Sequence, residues 1–206
     1  DRFKPQDPAA VEALKRRLGL QDMKLIVFGG VVRPHKGVEV FAEALAKLGR
    51  ADVALLILGP SNEHVRQMMA HPAYGKFIRC PAVGAAENLQ IHHDMPLHLA
   101  LGDVLIVPLA DTALSRSQMP CKVFEAMAMG KPIVANAVSD LPEVLAGCGT
   151  LVAPDRPELV AQALAEMLDD PAGARRLGER ARARCLEKYG AEPARRTLLA
   201  LLDELR

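Results

Sequence analysis

The stretch Ser115-Arg116-Ser117-Gln118-Met119-Pro120-Cys121-Lys122-Val123-Phe124-Glu125-Ala126-Met127-Ala128-Met129-Gly130-Lys131-Pro132-Ile133-Val134-Ala135-Asn136 decides how this chain is read. A polar loop ending in Met119-Pro120 runs into a short amphipathic helix that holds Lys122 and Glu125. Pro120 suits the first turn of a helix, where its missing N–H costs nothing. Gly130 is the left-handed stop expected at a helix end. Lys131-Pro132 then leads into the apolar run Ile133-Val134-Ala135. A helix N-terminus facing a loop offers unpaired N–H groups and a positive dipole end, which is an anion site. Glu125 lies about one turn in, where a carboxylate accepts hydrogen bonds from a neutral diol while the N–H groups hold a phosphate. The result is a nucleotide-sized site.

On either side of this stretch, strands and helices alternate, the pattern of a parallel sheet covered on both faces. Asp7-Pro8 caps a helix reaching about Leu18, and Lys24 to Gly30 reads as an apolar strand. A helix over 37–48 and a buried strand over 53–58 follow, with another helix from Asn62 to about Ala70. Residues 71–86 carry no period, broken by Pro72, Gly75, Pro81 and Gly84. Leu89 to His92 is expected as a short strand and Pro96 to Leu101 as a short helix. Val104 to Pro108, Ile133 to Ala135 and Thr150 to Val152 bring the total to about six strands. Helices over 157–168, 171–189 and 192–205 close the chain. With no internal repeat and no low-complexity linker, residues 1–206 are expected to form one domain.

Composition excludes several classes. A net charge of +1 gives no reason to expect a nucleic-acid partner, and 3% aromatic residues without Trp argue against a stacking platform. Cys80, Cys121, Cys148 and Cys185 show no paired spacing and read as thiols in a reducing compartment. No apolar run approaches membrane-span length and no signal peptide opens the sequence, so a cytoplasmic location is expected. His92-His93-Asp94 with His98 is a weak metal candidate, because neighbouring histidines on a strand point to opposite faces.

A second chemical segment is Phe28-Gly29-Gly30-Val31-Val32-Arg33-Pro34-His35-Lys36-Gly37, the first turn from strand to helix. It is neither a dinucleotide fingerprint nor a P-loop. Two glycines at a strand end admit a ligand close to the backbone, and Lys36-Gly37 opens the next helix.

The run around Glu125 resembles the "(P)xKxFEAMAxGKPVIA" signature in the donor-binding half of retaining, two-Rossmann-domain (GT-B) glycosyltransferases, and the likeness extends from Lys24 to about Tyr189. The fold it implies is α/β, a single Rossmann-like domain with a parallel sheet, the carboxyl-terminal half of such an enzyme. The resemblance implies that Glu125 holds the ribose hydroxyls of a nucleoside diphosphate sugar and that the backbone at the helix start holds the diphosphate. The first turn resembles the family's "G-R-L-x-P-x-K-G", whose Arg and Lys neutralise the diphosphate. Val31 stands at the usual Arg position, with Arg33 two residues later. Ser117 stands where many members carry a sugar-contacting Glu, although a subset with a Pro-x-Lys loop lacks it. The implied donor-binding set is Gly30, Arg33, Lys36, Gly37, Ser117, Met119, Pro120, Cys121, Lys122 and Glu125, with His92 to Met95 on the base side. No cofactor and no metal are implied, since cations and N–H groups stabilise the departing diphosphate.

By the same resemblance, the acceptor site and catalytic side chains belong to an amino-terminal domain that pairs with this one. Asp1 to Pro5 resembles the entry into the second domain, so a piece cut at a domain boundary, inactive alone, is expected. Two rivals stay open: a nucleotide-sugar epimerase of the same fold, and a degenerate partner domain without turnover. Arg175, Arg176, Arg180, Arg182, Arg184, Arg195 and Arg196 read either as a solvated face or as attraction to an anionic membrane surface, which keeps a membrane-peripheral location open. Leu198, Leu199, Leu201, Leu202 and Leu205 exceed one narrow stripe. Without the amino-terminal domain that the family's chain end packs on, a dimer through residues 192–206 is expected.

Overall fold

The computed structural model describes residues 2–82 and 84–204. Six parallel strands, β1 (Lys24–Gly29), β2 (Val53–Leu58), β3 (Ile78–Arg79), β4 (Val104–Val107), β5 (Ile133–Asn136) and β6 (Thr150–Val152), lie in the order β3-β2-β1-β4-β5-β6. Strand residues alternate between faces, so apolar runs feed two cores. Leu25 and Val27 pack with Leu56, Leu105 and Ile133 on one face. Ile26 and Phe28 pack with Leu55, Ile106 and Val134 on the other.

The first face is covered by α1 (Pro8–Arg17), α4 (Ala85–His93), α5 (Met95–Ala100), α7 (Lys122–Ala128), α8 (Leu141–Val144) and α10 (Pro171–Arg184). The second is covered by α2 (Val38–Leu48), α3 (Glu63–Ala70) and α9 (Pro157–Asp169). A four-residue helix, α6 (Ala113–Arg116), follows β4, and a π-helical turn, Cys185–Tyr189, joins α10 to the final helix α11 (Ala191–Glu204). The chain passes from β3 at one edge back to β4 beside β1, so the winding reverses between β1 and β4. In open parallel sheets this switch opens a crevice at the strands' carboxyl ends.

The doubly wound α/β class is as the sequence implies, but one strand differs. Leu89 to His92 is helix, part of α4, and the edge strand β3 lies in the stretch without period. Ala85, Ala86, Glu87, Leu89 and Gln90 are good helix formers, and Ile91 alone of α4 is buried, so an apolar helical period never appears. β3 spans two residues and pairs only with β2, too short to show alternation. Helix α7 begins at Lys122, with Pro120 and Cys121 forming the turn before it. Gly130 ends it at φ +67°, in the left-handed region expected.

The arginines of α10 have a job that neither sequence reading contained. Arg180 donates to the carbonyl of Gly147 at 3.0 Å, Arg184 to that of Glu143 at 2.8 Å, and Arg182 to that of Ala128. Arg180 and Arg182 thereby satisfy carbonyls at and just beyond the ends of α8 and α7, and Arg184 adds a second donor to one that already accepts from Ala146. Gly178 lets α10 approach: a Cβ there would stand 2.2 Å from the Gly130 carbonyl oxygen. By contrast α11 buries none of its residues, and Leu198, Leu199, Leu201 and Leu202 are 46–58% exposed. Leu205 lies outside the described residues. Among the described residues no helix is long and apolar enough to cross a membrane.

Candidate functional site

Two loops meet at the carboxyl ends of β1 and β4. After β1, Gly30 takes φ +127°, a backbone that L side chains rarely adopt, and donates its N–H to Leu58 at 2.9 Å. Gly59 presses against it, since a Cβ on Gly59 would lie 2.1 Å from the Gly30 oxygen. The chain then runs extended through Arg33 into a 3₁₀ turn, Pro34–Lys36, and Gly37 at φ +65° starts α2. A Cβ on Gly37 would meet the Ala110 nitrogen at 3.1 Å, so this glycine lets the loop after β1 sit directly on the loop after β4.

The two loops are tied together by polar side chains that the sequence did not single out. The His35 carbonyl accepts from the Ala110 N–H at 3.3 Å and from the Ser115 hydroxyl at 3.1 Å. Ser115 is fully buried and its N–H is capped by Thr112. Asn136, also buried at the end of β5, accepts from the Leu109 N–H at 2.9 Å. Asn62 donates to the Val32 carbonyl at 2.9 Å. Gln118 accepts from the Lys36 ammonium at 3.1 Å. Apart from the local Thr112 cap, each links positions 27 or more apart in sequence, so no local pattern announces them.

The expected site residues fall into three groups. Gly30, Lys36, Gly37, Lys122 and Glu125 converge. The Lys122 amine lies 3.1 Å from where a Cβ on Gly30 would be and 5.2 Å from the Phe28 ring centroid. Burial pushes the Lys122 pKa down, and the nearby charge of Lys36 pushes it further, with Glu125 acting against both. Lys36 is likewise lowered, by burial and by Arg33. Among the described residues neither lysine lies within ion-pair distance of a carboxylate. Burial raises the Glu125 pKa, against the opposing charges of Lys122, Arg2 and His92. Arg2 also donates to the His92 and His93 carbonyls at 2.6 and 3.0 Å, fixing the end of α4 near Glu125.

Met119, Pro120 and Cys121 form the wall of the approach to α7. Met119 packs on the core, Pro120 is buried and Cys121 is exposed. The Val123 N–H goes to Pro120 and those of Phe124 and Glu125 go to Cys121. The expected anion cradle is therefore confined to N–H groups before Val123. Arg33 and Ser117 lie at the exposed margin, with the Arg33 charge acting on Lys36. Arg33 is exposed without a side-chain hydrogen bond among the described residues, and Ser117 turns its hydroxyl to the Leu114 carbonyl at 3.0 Å.

The histidines lie on the last turn of α4 and on α5. No group of three or more metal-ligating side chains occurs among the described residues. A cavity of about 700 Å³ opens at the other end of the sheet, lined by Lys24, Gly102, Lys131 and Pro132 among others, and contains none of the converging residues. Its half-buried Lys131 is spent on the Ala100 and Gly102 carbonyls, at 2.6 and 2.8 Å. The carboxyl-end crevice, where Lys36 and Lys122 lie outside ion-pair distance of any carboxylate among the described residues, is the chemically equipped face.

A doubly wound parallel sheet with a cationic, glycine-lined switch point defines a Rossmann-like domain. Residues 23–170 match the family model described as Glycosyl transferases group 1. The chain belongs to that family. It is 29% identical to the alpha-D-kanosaminyltransferase of Streptomyces kanamyceticus, over all of this chain and 52% of that protein. It is 30% identical to a GDP-mannose-dependent alpha-(1-6)-phosphatidylinositol monomannoside mannosyltransferase of Mycolicibacterium smegmatis, over 92% of this chain and 50% of the relative. Anabaena HepE, solved in complex with UDP-glucose, shares the fold at TM-score 0.80 and 19% identity, across 98% of this chain and 54% of that one. The chain thus spans about half the length of the curated relatives it matches.

Proposed function

We propose that residues 1–206 are the donor-binding domain of a retaining glycosyltransferase that moves a sugar from a nucleoside diphosphate to a hydroxyl acceptor. One observation carries this reading: Lys36 and Lys122 share the crevice at the end of β1, neither within ion-pair distance of a carboxylate among the described residues, and the Glu125 charge only partly offsets theirs. Two desolvated ammonium groups repel each other, and a diphosphate between them removes that cost. As the glycosidic bond to the diphosphate breaks, the same fixed charges stabilise the negative charge that builds on the leaving group. No divalent metal is needed for that role. Glu125 takes the ribose hydroxyls, and the glycine at position 30 admits the phosphates against the backbone.

GDP-mannose as the donor of one relative, and UDP-glucose bound in the structure of a fold neighbour, favour a sugar nucleotide over a free nucleotide. Acceptor recognition and the remaining catalytic groups belong, in this reading, to an amino-terminal partner domain. Calorimetric titration with UDP, GDP and dTDP tests the proposal. One of them binds, EDTA leaves the affinity unchanged, and Lys36→Ala weakens the diphosphate far more than the nucleoside. Absence of binding by all three would favour a degenerate partner domain, and release of free epimerised sugar by the full-length protein without acceptor would favour an epimerase.

A further inference from the structure

We propose that Gln118 is the positioning residue for Lys36, a neutral tether that holds the ammonium over the crevice without cancelling its charge. The inference rests on the donor reading above and adds a residue that neither the signature around Glu125 nor the first-turn motif contains. Lys36 sits on the loop after β1 and Gln118 on the loop before α7, 82 positions later, and their side chains meet at 3.1 Å. An ammonium has three donors and no lone pair, so the amide facing it presents its oxygen. One donor is thereby fixed and two remain for a ligand.

The neutrality of the partner is the point. A carboxylate at the same place would hold Lys36 more strongly through a charge-assisted bond, but the pair would be close to neutral and a diphosphate would be repelled by the added anion. With nothing at the same place, the flexible four-carbon stem of Lys36 would have to be ordered on each binding event. An amide fixes the stem and leaves the full charge. The Gln118 NH₂ makes no hydrogen bond among the described residues, so two further donors stand beside the ammonium.

The test is a double-mutant cycle by calorimetry with the nucleoside diphosphate that the wild-type chain prefers and with the matching nucleoside. Gln118→Ala weakens the diphosphate several-fold, because the Lys36 stem must then be ordered on binding, and leaves the nucleoside unchanged. Gln118→Glu, which keeps the shape, weakens the diphosphate more than Gln118→Ala does and flattens the salt dependence of binding. In a Lys36→Ala background, Gln118→Ala costs nothing more. Wild-type affinity in Gln118→Ala overturns the proposal, as does an additive loss in the Lys36→Ala background, or an equal loss for nucleoside and diphosphate. These failures leave the donor reading standing as long as Lys36→Ala still discriminates. A wild-type chain that binds no nucleoside diphosphate removes both.

Discussion

Replacing Glu125 should move stability and affinity in opposite directions, a combination that a structural carboxylate would not produce. The side chain is half-buried on α7 and makes no hydrogen bond among the described residues. Burial raises its pKa, and Lys122, Arg2 and His92 only partly offset that. For a carboxyl whose folded pKa lies above its unfolded value, the stabilising contribution is complete below the unfolded pKa and is lost as pH rises through the folded one. At pH 7 the ionised group is therefore a cost to the fold. Glu125→Gln keeps the volume and removes the charge, so its melting temperature should exceed the wild type's at pH 7, with the gap closing as pH falls below the ordinary carboxylate range. Affinity should go the other way. Losing a charged acceptor in Glu125→Ala costs about 1.5–3 kcal/mol, or about 10- to 150-fold in nucleoside diphosphate affinity. A 2′,3′-dideoxy nucleotide should lose a similar amount on the wild type and little more on the variant. Fluorimetric melting across pH and calorimetry read the two quantities. A Glu125→Gln chain that melts lower than the wild type at every pH, or a Glu125→Ala chain that binds like the wild type, would refute the reasoning.

Three further outcomes are expected. Because burial and Lys36 depress the Lys122 pKa, diphosphate affinity should begin to fall with rising pH earlier than an ordinary lysine would allow; Lys122→Arg, always charged, should lose less affinity over the same range, the remaining loss coming from Lys36, whose pKa is also lowered, and parallel pH titrations of the two chains by calorimetry check this. Gly178→Ala should destabilise the chain by about 1–3 kcal/mol through overpacking, because the new Cβ falls 2.2 Å from the Gly130 oxygen; thermal melting reads it as a drop of several degrees. The exposed leucines of α11 should drive concentration-dependent self-association of this chain, abolished by Leu199→Glu or Leu202→Glu, and a strictly monomeric wild type in sedimentation at high concentration would contradict it.

What the sequence made legible, and what it hid, follows from how far each residue's requirement reaches along the chain. Gly30, Gly37 and Gly130 answer to backbone angles of their own, φ +127°, +65° and +67°, and so could be read in isolation. Lys36, Lys122 and Glu125 sit at fixed offsets from those glycines and from Pro120, and the fold then brings them together. β1, β2, β4 and β5 are nearly continuous apolar runs, as strands covered on both faces must be. β3 and α4 escaped because a two-residue edge strand and a helix with one buried residue carry almost no period. Arg33, two residues past the family's Arg position at Val31, was picked as its substitute; the chain is extended there and the side chain is exposed. Gln118, Ser115 and Asn136 escaped for a different reason. Their partners lie 27 to 82 positions away, and a single polar residue in a polar loop looks the same whether it faces water or a neighbouring loop.

The arginines of α10 show the same limit from the other side. Clustered positive charge suggested water or an anionic surface, the two environments that accept free cations. A third acceptor, the main-chain carbonyl at the end of a packed helix, is invisible until α7, α8 and α10 are placed together, and Arg180, Arg182 and Arg184 are spent on it. Donors that are spent this way are unavailable to a ligand. The contrast with Lys36 and Lys122 then carries weight. In a chain that ties many of its cations to carbonyls or carboxylates, two half-buried lysines that lie within ion-pair distance of no carboxylate among the described residues are the ground on which a donor site is proposed at the switch point of the sheet.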